Sequence, residues 1–112
     1  MGWKVMIIKV LGENWKVYFK KRVVFEGVKV AGLCDYSTKR IDVSLEYPKD
    51  VSLADKTLDL SDTLYHEILH AIFREAGLVD QDFWDTNIEH MIIAPIAKTL
   101  AKNFPLRTEN FK

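Results

Sequence analysis

The chain holds three histidines, all between positions 66 and 90, and two of them frame the run His66-Glu67-Ile68-Leu69-His70. On a helix, residues four apart lie one above the other on the same face. Two imidazoles at that spacing can converge on one metal ion. Glu67 is displaced by roughly 100° around the axis from His66. It does not ligate with the histidines, but it can reach a water on the metal and act as general base. The expected chemistry is metal-assisted hydrolysis of a peptide bond. One zinc ion brings the pKa of its water toward ~7 and polarises the scissile carbonyl. Glu67 takes the water proton and passes it to the leaving amine.

Such a site needs a third ligand. The metzincin continuation requires Gly at 73 and His at 76, where this chain has Phe73 and Ala76. The remaining pair is Glu89-His90, on a second expected helix. With Glu89 set at 0° and steps of roughly 100°, Ile92, Ile96, Leu100, Ile93 and Phe104 fall around it, and His90 lies at the stripe's edge beside Ala97 and Ala101. A carboxylate aimed at a core is costly unless paired or bound to metal. Glu89 is therefore the expected third ligand, with His90 the alternative. His90 is also the expected oxyanion-stabilising catalytic residue, ahead of Tyr36 and Tyr65. A competing reading of Glu89 is the capping box Thr86-x-x-Glu89, unless Asp82 caps the helix instead.

The segment Asp62-Thr63-Leu64-Tyr65-His66-Glu67-Ile68-Leu69-His70-Ala71 resembles the active-site helix of small zinc metallopeptidases of the gluzincin type. The likeness is to short phage-encoded and SprT-like or ImmA/IrrE-like proteins, and it runs from Val28 to Leu106. It implies a minimal zincin-like core with a second helix carrying a ligand Glu. Glu89, followed by Ile92, Ile93, Ile96, Ala97 and Leu100, matches that habit. It also implies an extended peptide or protein substrate, added as a strand to Lys39–Leu45. Two features of larger relatives are missing: a helix ahead of the strands and a Cys-rich zinc ribbon. The alternative function is a catalytically silent zinc-binding interaction or regulatory module, for which Glu67 would have no use.

The elements that must position these residues divide the chain into a strand-like half and a helical half. Trp3–Val10 is rich in Val, Ile and Met. In Trp15–Lys20, Trp15, Val17 and Phe19 alternate with Lys16, Tyr18 and Lys20. Val28–Asp35 and Ile41–Leu45, joined by the polar Tyr36–Lys39, read as an antiparallel hairpin that Pro48 ends. Lys49–Leu60 is a polar connection of weak periodicity. A first helix is expected from near Ser61, capped by that Ser, to Ala76, with Gly77 as its stop. A second runs from between Asp82 and Thr86 to about Asn103, before Pro105. Phe83 and Trp84 are expected in the core or cleft wall, and residues 106–112 as a loose tail. The fold class is α+β: a small, mainly antiparallel sheet of about four strands packed with two helices.

With 112 residues, this is read as a single domain. Sixteen basic and sixteen acidic side chains cancel, which argues against general nucleic-acid binding. Lys20-Lys21-Arg22 is then a solvated strand end. The one cysteine, Cys34, excludes an internal disulfide and reads as a buried strand residue. No apolar run approaches the ~20 residues of a membrane span, and only four apolar residues precede Lys9, too few for a signal-peptide core. A cytoplasmic location is expected.

Overall fold

Alternation of apolar and polar residues makes the first half of the chain a set of short strands, each burying one face. The computed structural model describes residues 4–80 and 86–107. Strands β1 (Lys4–Val10) and β2 (Glu13–Lys20) form a hairpin around Leu11-Gly12, both at positive φ (48° and 85°), as a two-residue turn demands. A second hairpin, β3 (Val23–Phe25) and β4 (Val28–Val30), turns at Glu26-Gly27 in the same way. After Ala31 come β5 (Gly32–Asp35) and β6 (Arg40–Ser44), the antiparallel hairpin expected from sequence. Its turn is closed by Asp35, whose Oδ1 accepts from the Ser37 amide at 3.0 Å and the Ser37 hydroxyl at 2.7 Å. The expected strand over Val28–Asp35 is thus two strands in two sheets.

The main sheet has the order β1-β2-β6-β5. Two pairings are antiparallel, while β2 and β6 run parallel, with Val17 opposite Ile41 and Phe19 opposite Val43. Trp15, Val17, Phe19, Ile41 and Val43 point inward and are buried. The architecture is the expected α+β class, a mixed four-stranded sheet with two helices and a small two-stranded sheet.

Helix α1 spans Leu53–Glu75 and lays Leu60, Leu64 and Ala71 on the sheet core. It begins eight residues before the expected start at Ser61. Its cap is Ser52, whose side chain accepts from the Asp55 amide at 3.1 Å. Ser61 is instead a fully buried mid-helix residue: its hydroxyl donates to the Thr57 carbonyl at 2.7 Å and accepts from the Leu106 amide at 2.8 Å. Leu106, expected in a loose tail, is pinned by that bond. Gly77, at φ 76°, ends the helix as expected, its amide donating to the Arg74 carbonyl at 3.0 Å. A short 3-10 turn follows at Leu78–Asp80.

Helix α2 (Thr86–Asn103) packs along α1. Its buried row is Glu89, Ile93, Ala97 and Ala101, four residues apart. The stripe expected around Glu89 is shifted toward Ala97 and Ala101: Glu89 and Ile93 are buried as expected, but Ile92 and Ile96 are 38% and 41% exposed and Phe104 is 64% exposed. Small Ala97 and Ala101 let the two helices approach on the row they share with Glu89. Among the described residues, no helix is long and apolar enough to cross a membrane. Asp82, Phe83, Trp84 and residues 108–112 lie outside the described residues, as does the side chain of Thr86.

Candidate metal centre

Helix α1 presents His66, Glu67 and His70 in its C-terminal half, and α2 brings up Glu89 and His90 in its first turns. The spacing of four on α1 stacks His66 and His70 with ring centroids 4.8 Å apart. His90 completes a triangle, 5.4 Å from the His66 ring and 5.0 Å from the His70 ring. One nitrogen from each of the three rings lies within 4.8 Å of the others, a group that could hold a metal ion. Neutral imidazoles suit zinc and other first-row transition metals, so this donor set fits such an ion. His66 is held below its ordinary pKa, first by burial and then by the neighbouring His70 and His90, which keeps its lone pair available.

Glu89 occupies a different place. It is buried, and its Oε1 lies 2.7 Å from Nδ1 of His70, which is buried too. The carboxylate accepts, so His70 donates from Nδ1 and keeps Nε2 as its free nitrogen. Of the two third-ligand candidates on α2, the structure thus brings His90 into the imidazole group and sets Glu89 against the back of the His70 ring.

Glu67 faces a cleft of about 280 Å³ lined by Ala31, Gly32, Asp62, Thr63, His66 and itself. Burial pushes its carboxyl up to about 7, near the working range of a general base. Gly32 makes this cleft possible. A Cβ there would lie 2.7 Å from Cγ2 of Thr63 and 3.0 Å from Oε2 of Glu67, so only glycine lets β5 come this close to α1. Sequence reasoning passed over Gly32, although a glycine inside a strand signals a close approach of this kind. Ala31, Asp62 and Thr63 also line a second cavity of about 390 Å³, which reaches Glu46 and Asp59.

The other sequence candidates are not part of the imidazole group. Tyr65 donates its hydroxyl to the Phe104 carbonyl at 2.7 Å. Tyr36 packs edge-on to Trp15, under the Arg74 guanidinium 4.5 Å from its ring. Cys34 is half-buried on β5, and burial, with Glu67 and Glu89 nearby, raises its thiol well above the ordinary range. In the basic cluster, Arg22 pairs with Glu46 at 2.7 Å and Lys20 with Asp42 at 3.4 Å, in line with a solvated strand end.

The strand proposed to receive a substrate is corrected. Strand β6, within Lys39–Leu45, has β2 on one side and β5 on the other, and its ladders are filled on both. The two edges of the sheet are β1 and β5, and β5 is the one that borders Glu67. No family model matches this chain, and no curated protein or solved structure matches it.

Proposed function

We propose that this chain is a metal-dependent hydrolase, a zinc peptidase acting on extended peptide. The observation that carries the reading is the trio His66, His70 and His90, with their nitrogens within 4.8 Å of one another, beside the Glu67 cleft. In this reading the third-ligand role expected of Glu89 passes to His90. The resemblance of Asp62–Ala71 to gluzincin active-site helices supports the same chemistry. A zinc ion held there would supply Lewis acidity toward a carbonyl and acidify a water.

The chain's own residues do the rest. Glu67, its carboxyl near neutrality, holds a water by hydrogen bonding, accepts its proton and returns it to the departing amine. An extended peptide adds to the β5 edge, its backbone bonding to Gly32–Asp35. Gly32 holds β5 close against Thr63 and Glu67, so a peptide on that edge lies near the Glu67 cleft.

The test combines metal analysis with one substitution. The purified protein is expected to carry one zinc per chain. Glu67→Gln should keep the zinc and the thermal midpoint, while hydrolysis of an unfolded protein substrate falls by roughly a hundredfold or more. A variant that hydrolyses as fast as the parent would sink the catalytic role of Glu67. Zinc held by four protein ligands would favour the silent binding module instead.

A further inference from the structure

We propose that Glu89 is a positioning residue: it holds the His70 ring from behind, through Nδ1, so that Nε2 is presented to the metal. The inference rests on the metal reading above and adds the role of a residue that reading leaves out. Three observations carry it. Glu89 Oε1 stands 2.7 Å from His70 Nδ1, a hydrogen-bond distance. Both side chains are shielded, at 9% and 11% exposure, so water does not compete for the bond. The imidazole group is completed by His90, the next residue on the same helix.

Neighbours on a helix point roughly 100° apart. One turn of α2 therefore grips one ring of α1 twice: Glu89 takes Nδ1, and His90 stands 5.0 Å from the ring at an interplanar angle of 85°. A carboxylate behind a metal-binding imidazole fixes its tautomer and orientation and raises its basicity. An ionised Glu89 in this pocket also has its charge matched by the N–H it receives, which answers the cost of burying it.

Zinc and cobalt(II) are the probes, titrated into metal-free wild type and into the variants Glu89→Ala, Glu89→Gln and His90→Ala. Glu89→Ala should weaken zinc binding by about 10- to 100-fold, while its cobalt(II) absorption spectrum stays that of the wild type, because no ligand is lost. Glu89→Gln should bind within tenfold of wild type, since the carboxamide oxygen accepts from the same N–H. His90→Ala should change the cobalt(II) spectrum. In the metal-free protein, nitrogen NMR should find His70 as the Nδ1–H tautomer in wild type and a tautomer mixture in Glu89→Ala.

Wild-type affinity in Glu89→Ala overturns the proposal. So does a Glu89→Gln variant that loses more than tenfold while His90→Ala retains metal, since Glu89 would then be a ligand. If the alanine variant does not fold, the near-isosteric glutamine variant decides by the same tenfold criterion. A wild-type chain that takes up neither metal overturns the metal reading itself and this proposal with it, an outcome distinct from those above.

Discussion

Gly32 sets the width of the candidate site. An alanine methyl there meets Thr63 Cγ2 at 2.7 Å and Glu67 Oε2 at 3.0 Å. Gly32→Ala should cost about 1–3 kcal/mol through overpacking, seen as a thermal midpoint lowered by several degrees. Thr63→Ser removes the nearest of these atoms, so part of the loss should return in the double variant. Equal losses in the two backgrounds, in a thermal-melt cycle, would show that the clash is not the cause. At this scale His66, Glu67 and His70 were legible in the sequence, because a spacing of four is a local property of any helix. The division of labour between Glu89 and His90 was not. Glu89 is buried as the helical spacing implies, but which of the two side chains meets the rings of α1 depends on how α2 docks against α1, a contact between elements that spacing within α2 does not encode.

At the scale of elements, α1 offers two serines with contrasting roles. Ser52 is the cap, and Ser52→Ala should cost about 1 kcal/mol. Ser61 is no cap, yet its alanine variant strands the Leu106 amide, at a cost of about 1–3 kcal/mol. Hydrogen exchange separates them: Ser61→Ala should speed exchange at Leu106, and Ser52→Ala should speed it in the first turn of α1 alone. The early start of α1 was in fact written in the chain. Ser52-x-x-Asp55 and the row Thr57, Leu60, Leu64 carry helical spacing that the polar residues between them obscured. The hairpin of β5 and β6 was readable from its turn residues, whereas the parallel pairing of β2 with β6 was not, since nothing local encodes which distant strand lies alongside. The helices also share the imidazole group, so metal that binds only the folded state should stabilise both. At a thousandfold excess over Kd the gain is about 4 kcal/mol, and a chelator that strips the metal should lower the midpoint accordingly.

For the molecule as a whole, two tyrosines contribute to the alkaline limit of stability, alongside the Cys34 thiol and Lys39, which are also raised. Burial pushes the Tyr47 hydroxyl up to about 12, and burial raises Tyr36 as well. A hydroxyl whose folded pKa lies above its unfolded value of ~10 keeps its proton longer in the folded state. The folded state then binds more protons than the unfolded one, and stability falls as pH rises from about 10 toward about 12. Replacing both tyrosines by Phe should flatten that limb in denaturant melts taken across the range. An unchanged limb would assign it to other groups.

The parallel contact between β2 and β6 also bears on how fast the chain reaches this state. The β1–β2, β3–β4 and β5–β6 hairpins join neighbours in sequence and can close on the microsecond scale. Lys16 finds Arg40 only after the whole intervening segment has been looped, and no tight turn can pre-set that meeting. The central seam of the sheet is then the late, rate-setting event, with Val17 and Val43 as its reporters. Truncating either to Ala should slow refolding in a chevron experiment, whereas truncating Val10, at the end of the first hairpin, should mainly speed unfolding.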